Sequence, residues 1–211
     1  MWNKFRLQTR GLAVWIIAMG GLVHFVQAAQ QPRAIDAPKS KLTVYVSKGG
    51  LMSTFGDNHQ VEAPISEGFI DEDTRRVQFV VESQRMKVLD PQLSPEKRQQ
   101  VQERMLGPDV LNIARYPYIR FESNTVEPSG PSYFVVHGQL SLHGVTRPVI
   151  VNVRKENGHY LGTTTLKQQD FGITPISIGG GTVRVKDELK IDFDIRPGDP
   201  TPQHVKVGVP E

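Results

Sequence analysis

The residues of this 211-residue chain best equipped for chemistry are its histidines. Beyond residue 28 these are His59, His137, His143, His159 and His204. Asp57-Asn58-His59, after Phe55-Gly56, places a carboxylate two residues before an imidazole in a turn. Such a carboxylate could orient the ring or share a cation with it. The same residues also suit a polar turn whose side chains bond the nearby backbone. His137 and His143 share a face, opposite Phe134, Val136, Leu140 and Leu142. A strand of that length would separate them by ~20 Å, whereas metal ligands sit about 2–2.5 Å from one ion. They read as solvated surface histidines, and no metal site or cofactor is expected. The chain lacks a Gly-x-Ser-x-Gly elbow, a phosphate loop and a His-Glu-x-x-His helix. Gly179-Gly180-Gly181 leads into a strand rather than a helix and reads as a flexible corner. With no cysteine, disulfides, thiolate metal sites and thiol nucleophiles are excluded. No catalytic residue is assigned; a hydrolase or metal-dependent enzyme using Asp57 and His59 stands as an alternative.

The elements that must position any site alternate with a period of two. Leu42, Val44 and Val46 alternate with polar neighbours and Tyr45, and so do Val77, Phe79 and Val81. Ile119 and Phe121 follow the pattern, as do Phe134, Val136, Leu140 and Leu142. Val149, Val151 and Val153 continue it, with Ile150 beside them, and Leu189, Ile191, Phe193 and Ile195 complete it. Such runs are strands with one buried and one wet face, and noisier strands are expected at 59–70 and 159–168. Asp71-Glu72-Asp73, Pro128-Ser129-Gly130-Pro131 and Asn157-Gly158 separate strands as turns. A meander of six to eight such strands hides its apolar faces by closing into a barrel, which also removes exposed edges. One helix is expected over 94–106, capped by Ser94, started by Pro95 and ended by Gly107-Pro108. Its stripe of Val101, Met105 and Leu106 is thin, suited to lying on the barrel or covering one end. The fold expected is therefore all-β, an antiparallel eight-stranded barrel with one short helix.

The N-terminus carries the charge excess. Lys4, Arg6 and Arg10 precede an apolar run from Gly11 to Val26, and then Val26-Gln27-Ala28. Basic region, short apolar core and small-residue site are the order of a cleaved signal peptide. The run is shorter than the about 20 residues of a membrane-spanning helix. Residues 1–28 hold no acid, so their removal leaves the formal net charge of +3 at zero. A neutral exported chain lacks the basic footprint of a nucleic-acid binder. The expected organisation is a signal peptide at 1–28, a leader at 29–40, a barrel domain at 41–196 and a Pro-rich tail at 197–211. The expected location is the periplasm.

Three motifs carry a resemblance. Arg115-Tyr116-Pro117-Tyr118-Ile119-Arg120-Phe121-Glu122-Ser123 resembles the "YP-I-F-S" run of the YceI-like lipid-binding (polyisoprenoid-binding) family of periplasmic proteins. The segment Gly138–Val149, GQLSLHGVTRPV, is similar to that family's "G-LT-HG-T-PV" run, and Gln169-Asp170-Phe171-Gly172-Ile173 to its "DFGI" run. The helix falls where the family carries a helix-containing insert before "YP". The resemblance covers about residues 40–196. It implies an exported, lipocalin-like barrel whose apolar interior takes up an isoprenoid or other amphiphilic lipid, without catalysis, as carrier, storage or stress-related protein. Where that family often has Gly-His-Asp-His, this chain has Gly56-Asp57-Asn58-His59, which weakens a metal role further.

The ligand-binding set expected on the inner faces is Leu42, Val44, Val46, Phe79, Ile119, Phe121, Phe134, Val136, Leu142, Val151, Phe171, Ile191 and Phe193. The membrane enters only as a lipid source, no nucleic-acid partner is expected, and an oligomer is left open. A barrel with a packed core that binds another envelope protein is the competing account. Whether the interior is open or filled is not legible at this level, because small barrels do both. The export reading has its own test: mass spectrometry of the secreted chain should find Ala29 or Gln30 at the N-terminus. An intact Met1 chain in washed membranes would reject cleavage.

Overall fold

The structure is a computed structural model, and it describes residues 31–49, 58–178 and 183–199. The expected signal peptide, Gly56 and Asp57, the glycine run at 179–181 and the tail beyond 199 lie outside the described residues.

Among the described residues twelve strands form one antiparallel sheet. They are β1 (Arg33–Ala34), β2 (Lys41–Gly49), β3 (His59–Glu62), β4 (Ile65–Asp71), β5 (Arg76–Glu82) and β6 (Lys87–Val88), then β7 (Tyr118–Gly130), β8 (Tyr133–Leu142), β9 (Val145–Glu156), β10 (His159–Lys167), β11 (Ser177–Ile178) and β12 (Val183–Ile195). The hydrogen-bonded order is β1-β4-β5-β7-β8-β9-β10-β12-β2-β3-β6, with β11 on β12. The all-β class, the antiparallel meander and the single helix are as expected. The strand number is not eight: three two-residue strands add to it, and the run expected at 59–70 is broken in two.

That break is what curls the sheet. β3 pairs with β2 near one end of the order, and β4 pairs with β5 near the other. Only Ala63 and Pro64 separate β3 from β4. The Ala63 N–H still donates to Leu42 O (2.9 Å), but Pro64 has no N–H to continue the ladder. The chain therefore changes partner there, and one continuous stretch ties the two flanks of the sheet together. The leader and tail reinforce this tie. Ile35 is buried and bridges Pro197, Gly198 N donates to Ala34 O (2.7 Å), and the Arg33 guanidinium holds Gly198 O. The segment expected to be a plain leader thus supplies a strand, and the tail is anchored as far as Gly198.

Glycines set how tightly the strands bend. A Cβ on Gly138 would stand 2.6 Å from the Phe121 ring, and one on Gly162 would stand 2.4 Å from the Phe193 ring. Each phenyl lies over the bare backbone of the neighbouring strand, a close approach that only glycine permits. Phe121 also stacks on Phe79, with ring centroids 5.3 Å apart. Asn157 and Gly158 turn the β9–β10 hairpin at φ 50° and 79°, as Asn-Gly turns do.

Helix α1 (Pro95–Leu106) begins where the Ser94 hydroxyl accepts from Lys97 N (3.3 Å) and ends where Gly107 N returns to Glu103 O (2.9 Å). Gln102 clamps it to β6: its amide donates to Met86 O and accepts from Val88 N, both at 2.8 Å. The opposite end of the sheet is held by charges. Glu72 in the β4–β5 turn accepts from Lys155 (2.6 Å) on β9 and lies 4.0 Å from Arg33. Burial pushes the Glu72 carboxyl up, but the hydrogen bonds from Lys155 and Tyr160 and the charge of Arg33 outweigh it and hold it below the ordinary glutamate range.

Two outcomes follow. Phe121→Asp should unfold the chain or cost several kcal/mol, since it buries a carboxylate without a partner. His137→Asp, on the outer face, should stay within about 0.5 kcal/mol. Equal losses in chemical denaturation would refute the face assignment. For Glu72→Gln, the sign follows from the lowered folded pKa. The stabilisation is complete above the ordinary glutamate pKa of about 4.3 and is lost as pH falls through the folded value. The melting-temperature gap between parent and variant should be widest near neutral pH and should close in acid; a gap constant with pH would refute it.

Candidate functional site: the interior cavity

The curled sheet encloses space it does not fill. A cavity of about 800 Å³ runs inside it, within the range of small-molecule sites. Its wall comes from the alternate residues of β2, β5, β7, β8, β9 and β12, joined by Val61, Ala63, Ile70 and Met86. Of the residues expected to face inward, Leu42, Val44, Val46, Phe79, Ile119 and Phe121 line it, and so do Phe134, Val136, Leu142, Val151, Ile191 and Phe193. Leu42, Val44, Phe79, Ile191 and Phe193 are only half-buried although they point into the molecule. Their exposed surface borders the cavity instead of neighbouring side chains. A packed core, the requirement of the competing account, does not match this interior.

Phe171 is the exception and corrects the expectation. It is 2% exposed, sits in the 3-10 turn Gln168–Phe171, and packs in the core outside the cavity wall. Its turn does face inward, but through Gln168 and Ile173. Gly172 stands between them at φ 72°; Phe171 and Ile173 pack in the same core cluster, and Ile173 alone of the two reaches the cavity wall.

Several wall residues were not singled out from sequence. Val77 and Leu140 belong to the same alternation and were available to it. Met86 and Leu111 come from segments without a strand period, while Val101 and Met105 are the helical stripe expected to lie on the barrel or cover one end. Tyr160 and Lys155 border the cavity at the Glu72 end.

The histidines sort themselves by geometry. His59 borders the cavity, and its Nδ1–H donates to Asp90 Oδ2 at 2.6 Å. Asp90 is 1% exposed, and its other oxygen accepts from Gln60 N at 2.7 Å. Among the described residues the carboxylate that orients His59 is therefore Asp90, thirty-one positions along the chain, where no local motif could reveal it. Because a carboxylate only accepts, this bond places a proton on Nδ1. His137 lies on the outer side, 3.9 Å from Glu127. His143 is not a solvated strand residue. It turns the β8–β9 hairpin at φ 53°, bonds Phe171 O through Nδ1 (3.2 Å) and packs on the Tyr116 ring. His159 pairs with Asp194 at 3.4 Å.

Comparison with known proteins places this geometry. A UPF0312 protein of Azotobacter vinelandii is 40% identical over 75 residues, covering 31% of this chain and 39% of the relative. A UPF0312 protein of Pseudomonas savastanoi pv. phaseolicola is 34% identical over 97 residues, covering 41% and 48%. The chain thus spans less than half the length of these curated relatives. The crystal structure of Burkholderia cenocepacia BcnA matches with a TM-score of 0.57 at 19% identity, over 76% of this chain and 98% of that one. A polyisoprenoid binding domain from Saccharophagus degradans, implicated in plant cell wall breakdown, matches with a TM-score of 0.54 at 16% identity, over 78% and 97%. These two establish a shared fold. The model of the YceI-like domain matches residues 34–196, and with the three motifs, the curled sheet and its apolar interior accounted for, the chain belongs to the YceI-like family.

Proposed function

We propose that the cavity holds the apolar chain of a polyisoprenoid or similar long amphiphilic lipid, and that the protein works as an exported carrier or store and not as an enzyme. The observation that carries this is the wall itself. The wall of the 800 Å³ cavity is mostly Val, Leu, Ile, Phe and Met, with Thr164 and Tyr160 among them, and its charged residues come from the β4–β5 turn, from strand ends and from α1. Such a wall offers area and shape and almost no hydrogen bond, which suits a hydrocarbon tail. Each Å² of tail withdrawn from water contributes about 25 cal/mol, so a few hundred Å² outweighs the ordering cost of binding. The solved relative described as a polyisoprenoid binding domain supports the ligand class. Export rests on the basic region, apolar core and Val26-Gln27-Ala28.

Catalysis has little to build on. The hydrogen-bond partner of His59 is Asp90, and among the described residues no hydroxyl is hydrogen-bonded to His59, which leaves two thirds of a triad.

The test is chemical. The full chain, expressed with its own N-terminus in a bacterium and purified without detergent, should yield about one lipid per protein on organic extraction and mass spectrometry. Val136→Trp, which fills the cavity from β8, should lower that yield severalfold while the far-ultraviolet circular dichroism stays unchanged. Recovery of no lipid, together with failure of the stripped protein to take up a polyprenol, would overturn the reading.

A further inference from the structure

Resting on that reading, we infer that the lipid enters and leaves the cavity sideways, through a window in the wall between β9 and β10. The ladder joining these strands begins at His159 and Glu156 and stops at Thr163 and Asn152. Neither strand ends there: β9 reaches back to Val145, and β10 runs on to Lys167. Their other neighbours stay attached. β8 pairs with β9 as far as Val145, and β12 pairs with β10 as far as Lys167. The two strands therefore part while each keeps its other partner, and the sheet splits between them.

The cavity reaches both lips of this split. Val149 and Val151 border it from β9, and Thr164 and Leu166 from β10. On the outside Ile150 is 59% exposed, with Pro148 and Thr165 exposed beside it. Pro148 has no N–H to offer a ladder, so it suits a strand edge left unpaired. A hydrogen bond that does cross the split runs from the Thr164 hydroxyl to Ile150 O at 3.4 Å. It is long, and it comes from a side chain where a ladder uses a backbone N–H.

The 3-10 turn Gln168–Phe171 keeps the strands apart. It continues β10 and lies against β9, β10 and β12. Toward the β8–β9 hairpin, Arg147 donates to Asp170 O (3.0 Å) and His143 to Phe171 O (3.2 Å). Toward β12, Gln168 donates to Lys186 O (2.8 Å), and Gln169 N donates to Asp187 (2.9 Å). Phe171, 2% exposed, anchors the turn in the core. A turn fixed on both sides is a wedge, and the ladder cannot zip past it. Between wedge and ladder lie Val149–Val151 and Thr164–Leu166, three residues a side, or about 10 Å of wall at the strand rise. A hydrocarbon crossing there meets Val149, Ile150, Val151 and Leu166. At the ends of the barrel it meets the Arg33–Glu72–Lys155 group, or a helix clamped to β6 through Gln102.

The chain has no cysteine, so introduced pairs can be tethered cleanly. Ile150→Cys with Thr165→Cys, one exposed residue on each lip, is bridged by a short bismaleimide, and the bridge is verified by mass. Asn152→Cys with Thr163→Cys, opposite each other in the paired half, is bridged as the control. Uptake of tritiated geranylgeraniol by the delipidated protein, and its release, are followed by rapid gel filtration. The tether at 150 and 165 should slow both rates by about tenfold or more and leave the equilibrium affinity unchanged, since a blocked passage delays both directions alike. A single bulky maleimide on Ile150→Cys, which overhangs the window and needs no partner, should slow them too. The unbridged variants and the control tether should keep the parental rates. Parental rates in the bridged and overhung proteins would overturn the window, send the lipid through an end and leave the cavity reading intact. Equal slowing by the control tether, or a fall in affinity in place of slower release, would overturn it as well. Failure of the parent to bind geranylgeraniol would remove the cavity reading itself, and this inference with it.

Discussion

An apolar sheet face must be covered, and in this chain it is covered by its own curvature. The inner residues of β2, β5, β7, β8, β9 and β12 cannot remain in water, and no second sheet is present among the described residues to pack on them. Bending the sheet until it faces itself removes that surface from solvent. Three features permit the bend. Pro64 ends one ladder so that the next residues join the opposite flank. Gly138 and Gly162 let Phe121 and Phe193 sit directly on the neighbouring backbone. The Arg33–Glu72–Lys155 group then fastens one end, and α1 lies across the other.

Curvature covers the face without filling the space behind it. Close-packed interiors leave few voids larger than a water molecule, so about 800 Å³ bordered by half-buried Val, Leu and Phe is an unmet packing demand. The chain had large side chains available and places several on the wall, Phe79, Phe121, Phe134 and Phe193 among them. Phe79, Phe121 and Phe193 pack sideways, on each other or over glycines, and leave the axis open. A ligand with apolar volume would satisfy the wall in the way neighbouring residues satisfy an ordinary core.

The period of two made the inner face legible residue by residue. Leu42, Val44, Phe121, Val136, Ile191 and the others came from alternation alone, because a strand leaves each side chain only two directions. The same logic fails wherever the chain leaves the strand. Phe171 ends a 3-10 turn and precedes a left-handed glycine, so a motif position gave no face. His143 sits in a hairpin turn at positive φ, so counting it along β8 misplaced it. Asp90 has no local signature, since its tie to His59 exists only after β6 pairs with β3. Strands β1 and β6 have two residues each, too few to show a period. The open interior was hidden for a different reason: a packed barrel and a hollow one share one alternation, and only the summed side-chain volumes against the curvature tell them apart.

Charge shows the same divide between composition and placement. A formal net charge of +3 describes the whole chain, and the whole excess is carried by residues 1–28. Folding then redistributes what remains. At the β4–β5 turn, acid and base meet within hydrogen-bond reach, and their fields cancel over a few ångströms. At α1, cations from β2, β12 and the helix gather without acids on the wall beside them. Net charge therefore says nothing of where charge stands around the cavity; that is set by which strand ends and which helix the fold brings to its rim.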